Sequence, residues 1–156
     1  MVDDLATLWQ SEHERATVSL DEWPSRVNLS TVVARVRQSG KPHAWQRPIY
    51  VEQLGRQVTP SETIQAEQAL AAHFLDSLGE TGAPRGDKGH VFGVRLRFVL
   101  PDRRRIDVDN LVKTVLDAGR HIVWEDDCQV VELHALKVVG EVARTEILIY
   151  RVGLAR

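Results

Sequence analysis

The stretch HVFGVRLRFVLPDRRRIDVDNLVK, residues 90–113, changes its hydrophobic period once, and that change decides the fold. From His90 to Leu100 the apolar residues Phe92, Val94, Leu96, Phe98 and Leu100 alternate with Gly93, Arg95 and Arg97. A period of two marks a strand, here with one face for the core and the other partly basic. Pro101 to Arg105 reads as a turn. From about Asp109 to His121 the period becomes helical, with Leu111, Val112, Val115, Leu116 and Ala118 on the apolar side and Asp109 placed to cap.

Working outward, Thr59-Pro60-Ser61-Glu62 has the form of a helix start, with a capping Thr, Pro at the first helical position and Glu closing a capping box. That helix is expected to run to Leu78, with Ile64, Ala71, Phe74, Leu75 and Leu78 as its buried stripe and Gly79 as its left-handed end. Gln38 to Pro48 and Gly79 to Gly89 read as loops. Downstream, Gln129 to Val138 and Thr145 to Val152 read as strands joined at Gly140-Glu141, the pattern of an antiparallel hairpin. Shorter strand signals lie at Thr17 to Leu20 and Pro48 to Val51, and weak helix patterns at Asp3 to Arg15 and Asn28 to Gln38. The sum is an α+β fold, a small mixed sheet with two principal helices packed on one face.

A chain of 156 residues, 43% hydrophobic and 27% charged, has the balance of one ordinary globular domain. The first five residues are acidic and lack an apolar run, so no secretory leader or membrane span is expected, and the cytoplasm is the expected compartment. A single cysteine, Cys128, excludes an internal disulfide and a thiolate zinc cluster. The net charge of -2 conceals segregation, because residues 1–22 hold six acids and one base, whereas residues 85–113 hold eight bases and four acids. The second stretch has the charge to attract phosphates, although a charge run alone is commonly a solvated face.

Four acids near that stretch call for chemistry. Asp107 and Asp109 stand two apart at a strand-to-helix junction, so in extended backbone their carboxylates point to one side. Two or three carboxylates with water and a phosphate oxygen suit magnesium, which takes hard oxygen ligands and keeps several waters. Asp126 or Asp127 in Trp124-Glu125-Asp126-Asp127 is the available third. Lys113 lies one helical turn beyond Asp109, where its ammonium can meet a scissile phosphate. Each residue has a plainer reading: Asp109 as a cap, Lys113 as the partner of Asp109 or Asp117, and Asp126-Asp127 as a solvated turn. An EF-hand is excluded, since the sixth position from Asp107 is Val112 rather than Gly and the twelfth is Ala118 rather than Glu. The six histidines show no ligand spacing, Cys128 reads as packed beside the site loop, and the four tryptophans read as core or interface.

From Pro101 to Lys137 the sequence resembles the RusA-type crossover-junction endodeoxyribonucleases, a family common in phages and prophages. The resemblance rests on Pro101-Asp102-Arg103-Arg104-Arg105, the Asp-x-Asp-Asn-Leu-x-Lys run from Asp107 to Lys113, Asp117, the block Asp126-Asp127-x-Gln129-Val130, and Lys137. Upstream, Thr17 to Leu20 and Pro24-Ser25-x-x-Asn28 are similar to the family's first strand and the loop after it, and residues 1–15 extend ahead of the usual start. The resemblance implies a magnesium site, with manganese able to substitute, formed by Asp107, Asp109 and Asp127 with Asp126 adjacent. It implies Lys113 as a catalytic or DNA-contacting residue and a homodimer nicking two strands of a four-way junction symmetrically, in a bacterial or phage-infected cell. Arg103, Arg104, Arg105 and Lys137 are then expected on backbone phosphates, and Asn110 beside the carboxylates. Two other functions fit the same residues: a metal-dependent nuclease of flaps or forks, and a junction-binding protein without cleavage.

Overall fold

The computed structural model describes residues 12–156. In chain order the elements are α1 (Glu12–Thr17), β1 (Val32–Ser39), β2 (Ile49–Val51), β3 (Arg56–Val58), α2 (Ser61–Thr81), β4 (His90–Leu100), α3 (Val108–Gly119), β5 (Val130–Val139) and β6 (Arg144–Leu154), with short 3-10 turns at Leu29–Thr31, Glu52–Leu54 and Asp127–Gln129. Four strands form one sheet in the order β1-β6-β4-β5, with β4 and β5 parallel and the other pairs antiparallel, while β2 and β3 form a separate antiparallel pair. The class is therefore α+β. No helix among the described residues is long and apolar enough to cross a membrane.

The alternation along β4 places Phe92, Val94, Leu96 and Phe98 in one cluster with Leu70, Phe74 and Leu78 of α2 and Leu111, Val112, Val115 and Ala118 of α3. Both principal helices thus cover one face of the sheet. The other face is not an open basic surface. Arg95 and Arg97 are buried there, at 3% and 5% exposure, and they hold the chain before β1. Arg95 donates to the carbonyls of Leu20 and Ser25, and Arg97 donates to those of Arg15 and Val18 and pairs with Glu146 at 2.6 Å. A buried guanidinium needs acceptors for its donors, and backbone carbonyls supply most of those found here, with the Arg95 Nε left unbonded. Two bases of the residue 85–113 stretch are therefore structural.

β5 and β6 do not form a hairpin, because β4 lies between them. The β4-α3-β5 crossover lays β5 parallel to β4 on one edge, and the chain then crosses the end of β4 to bring β6 down the other. Gly140 makes that crossing, its N–H bonded to the Leu100 carbonyl at 2.9 Å, and a Cβ there would stand 2.7 Å from Val99 Cγ1. Asn28 to Gln38 is the 3-10 turn followed by β1 rather than a helix. Val32, Val33 and Val36 favour extended backbone, and a register shift between Val32 and Ala34 breaks the alternation that would have marked a strand. Thr17 to Leu20 is the end of α1 and a turn, not a strand. Of Asp3 to Arg15, residues 3–11 lie outside the described residues, and the rest falls in α1.

α2 departs from expectation at both ends and in its stripe. Pro60, not Thr59, stands at its N-cap without a side-chain capping bond, and the helix passes through Gly79 to end at Gly82, with φ 74°. Ile64 and Leu75 are exposed, and the buried positions are Thr63, Leu70, Phe74, Ser77 and Leu78. The stripe includes hydroxyls because it covers the outer edge of β1: Ser77 accepts from Arg35 N–H at 2.8 Å and donates to the Arg35 carbonyl, and Thr81 donates to the Val33 carbonyl at 2.7 Å. A strand edge is thereby closed by side chains.

Candidate metal and DNA site

Pro101 ends β4, and Asp102 shapes the turn after it, accepting the Arg104 N–H at 3.2 Å and pairing with the Arg104 guanidinium at 2.9 Å. Arg103 reaches back to Glu12 of α1 at 3.0 Å, and Lys137 of β5 donates to the Ile106 carbonyl at 2.7 Å. Arg105 is exposed and has no bonded partner among the described residues. Arg103, Arg104 and Lys137 line one groove of about 260 Å³ together with Glu12 and Arg15.

Asp107 occupies the N-cap position of α3 in extended conformation, φ -71° and ψ 132°, and its carboxylate makes no capping bond. The expected cap, Asp109, lies inside the first turn and accepts the N–H of Asn110 at 2.9 Å. The Asp107 carboxylate is thus uncommitted, whereas Asp109 satisfies one first-turn N–H, and both stand at the positive end of the helix. Asn110 contributes backbone only, its carbonyl receiving the Trp45 N–H at 2.9 Å. α3 ends at Gly119 rather than His121 because Trp124, fully buried, lies against it; a Cβ on Gly119 would stand 2.5 Å from the indole.

The chain after Trp124 is held by Gln129. Its Oε1 accepts the N–H groups of Glu125 and Asp126 at 2.9 and 3.1 Å, and its Nε2 donates to the carbonyls of Asp87 and His90 at 2.7 and 2.9 Å. Asp126 caps the 3-10 turn through the Cys128 N–H at 3.0 Å and pairs with Arg120 at 2.8 Å. Those bonds, the Cys128 N–H foremost and Arg120 next, hold its carboxyl well below the usual carboxylate range. Asp126 is thus engaged in the turn, and Asp127 is the one presented to the site. Cys128 is exposed rather than packed.

Asp109 and Lys113 of α3 and Asp127 of the turn line one open cleft of about 460 Å³, whose apolar wall includes Val112, Leu116 and Leu133. Asp107 is not part of its lining. No three His, Cys, Asp or Glu residues among those described stand close enough to hold an ion as they are placed. The donor set nevertheless fits a hard cation: two carboxylates face a space open to water, and magnesium is commonly held by one or two carboxylates and water. Lys113 rests against Asp117 at 3.0 Å and over the Trp45 ring at 4.9 Å. Across from this pair, burial and the charge of Asp117 push the Glu67 carboxyl up, and Lys113 partly offsets them.

Sequence reasoning missed Gln129 and Trp45 as site residues. The spacing Asp126-x-x-Gln129, a capping-box pattern, was the readable signal for the first, whereas Trp45 meets Lys113 only through tertiary packing.

The sequence pattern of the family Endodeoxyribonuclease RusA matches residues 39–150, most of the chain. The chain belongs to the RusA family. It is 40% identical over 62 residues to the crossover junction endodeoxyribonuclease RusA of Escherichia coli strain K12, covering 38% of this chain and 52% of that protein. The same figures hold for the crossover junction endodeoxyribonuclease of Enterobacteria phage 82. It is 48% identical over 47 residues, 30% of this chain and 33% of the relative, to the uncharacterized protein YqaN of Bacillus subtilis strain 168. The matched part spans about half the length of the RusA relatives and a third of YqaN.

Proposed function

We propose that this chain is a divalent-metal-dependent endonuclease that resolves four-way DNA junctions by paired nicks as a homodimer, acting in the cytoplasm as one nuclease domain. The observation that carries the reading is the shared cleft, in which Asp109 and Lys113 from one helix meet Asp127 from a separate turn. Membership of the RusA family and the named activity of its relatives support it.

Asp107, Asp109 and Asp127 would hold magnesium or manganese, with Asp126 beside them. A bound ion of this kind supplies Lewis-acid polarisation of the phosphate and a more acidic attacking water. Asp107 carries no capping bond that would have to break before it turned toward the cleft. Lys113 would meet the negative charge that develops on the phosphate, a contribution of about 3 kcal/mol by comparison with removal of a single oxyanion donor. Leaving Asp117 costs Lys113 little, because its side chain is 44% exposed and an exposed ion pair is worth only about 0–1 kcal/mol. Arg103, Arg104, Arg105 and Lys137 would track backbone phosphates without reading bases, and the Asn110 N–H steadies the Asp109 carboxylate. The two-fold symmetry of a homodimer suits a junction of matching symmetry.

The test is incubation of the protein with labelled four-way, flap and linear duplex DNA, with and without magnesium. Paired nicks in the four-way substrate alone support the reading; preference for flaps makes the protein a flap or fork nuclease, and binding without cleavage makes it a junction-binding protein. Asp109→Asn is expected to keep fold and junction binding and to lose metal-dependent cleavage, and unchanged cleavage removes Asp109 from the site. Arg104→Ala is expected to weaken binding to all DNA and to lower the slope of log affinity against log salt by about 0.9 per lost phosphate contact, measured by titration across salt.

A further inference from the structure

The two strands β2 and β3 stand apart from the sheet, and neither packs extensively on another element. An isolated two-stranded hairpin is at best marginally stable in water, yet this one exposes three large apolar side chains, Ile49 at 61%, Tyr50 at 61% and Leu54 at 57%. Ile49 pairs across the ladder with Val58, and Tyr50 with Gln57, so Ile49 and Tyr50 project from opposite faces. Leu54 lies at the tip, where Gly55 turns the chain with φ 61°. Each face of the hairpin thus carries one exposed large apolar side chain and the tip a third, rather than one continuous apolar face. A blade with an apolar side chain on either face and at its tip suits insertion between two flat surfaces.

Its root and its charge say which surfaces. The chain enters the hairpin from Trp45, which is bonded to the first turn of α3 at Asn110 and lies over Lys113, so the blade springs from the rim of the Asp109–Asp127 cleft. Lys41, Arg47 and Arg56 stand in or beside it, against the single acid Glu52 within residues 40–58. Apolar side chains inserted between base steps, with cations on the flanking phosphates, are a known solution for binding bent or opened DNA, and unstacking is easiest where pairing is already interrupted.

We propose that the hairpin Ile49–Val58 is the branch-point contact of this protein, with Tyr50, Ile49 and Leu54 entering the opening between base pairs and Arg47 and Arg56 on adjoining phosphates. The inference rests on the reading of the chain as an enzyme of branched DNA, but its test does not need cleavage. Full-length protein and its Tyr50→Ser and Tyr50→Phe variants are titrated, in EDTA, against a four-way junction carrying 2-aminopurine at the branch and against a linear duplex of the same sequence. The expected result is a rise in 2-aminopurine fluorescence with the unaltered chain. Tyr50→Ser should lose that rise and about 10-fold or more of junction affinity, with duplex affinity and the melting curve unchanged. Tyr50→Phe should keep both. Equal junction-to-duplex ratios for the unaltered chain and Tyr50→Ser overturn the proposal, as does conversion of a dimer to monomers by Tyr50→Ser in sedimentation, which makes the blade a self-association surface. Should the unaltered chain nick no DNA but still give the Tyr50-dependent signal, the cleavage reading fails and the contact stands.

Discussion

At the residue scale the most consequential side chain outside the acids is Gln129. All four of its strong hydrogen-bonding positions are used, two on the chain that leads into Asp127 and two on the carbonyls of Asp87 and His90 at the entry to β4. Truncation to alanine removes four part-buried bonds, and because water can reach the groups they leave, the whole loss is expected to stay within the about 1–3 kcal/mol cost of a single unpaired buried group. Gln129→Ala is therefore expected to lower stability by about 2 kcal/mol in urea melts and to slow metal-dependent cleavage while leaving DNA affinity intact. Equal loss of both would mean that the turn acts in binding. The placement of Asp107 and Asp109 at a strand-to-helix junction and of Asp127 in a turn was legible from the hydrophobic period, whereas the cleft that takes in Asp109 and Asp127 without Asp107 was not. What Asp126 and Gln129 do was less so. Arg120 and the Asp87 and His90 carbonyls that engage them belong to other elements, and spacing along the chain does not report those contacts.

At the scale of elements, the bounds of β4 were readable because Phe92, Val94, Leu96, Phe98 and Leu100 recur at every second position up to Pro101. Its neighbours were not. A hydrophobic period identifies strands but says nothing of who pairs with whom, so two strands linked by a short Gly-containing turn read as a hairpin although a third lies between them. The buried arginines explain the misread face of β4, since a basic residue in a strand looks solvent-facing until the carbonyls that receive it are known. Gly140 permits the crossing over the end of β4, which sets up a two-site test. Gly140→Ala forces its new methyl against Val99 and is expected to cost about 1–3 kcal/mol, as overpacking does. Val99→Ala removes the obstructing methyl, so the double variant should be more stable than the sum of the single effects predicts, a coupling that a double-mutant cycle in urea measures.

Across the whole molecule, part-buried ion pairs hold arginines of the sheet to carboxylates of the sheet and of the loop before β4. Burial pushes the Glu146 carboxyl up, but the Arg97 hydrogen bond and the charges of Arg97 and Arg144 outweigh it, and its pKa falls below the ordinary 4.5. Asp87 is similar: burial raises it, while the Gly89 N–H, His90 and Arg151 bring it below 3.8. A carboxyl depressed on folding contributes stability that is complete above its unfolded pKa and lost as pH falls through its folded one. Stability is therefore expected to decline below about pH 4.5. Glu146→Gln should be less stable near neutrality and show a shallower acid-side decline in urea melts taken from pH 6 to pH 2. An acid limb of unchanged steepness would place the linkage elsewhere.

The position of β6 between β1 and β4 bears on how the molecule is made. The strand that closes the sheet is the last of the six to leave the ribosome, so a nascent chain that has reached residue 143 holds β1 and β4 with their facing edges unpaired. Such edges invite pairing with other chains. Synthesis of this protein therefore passes through an aggregation-prone interval that ends only when roughly ten more residues emerge to fill the gap.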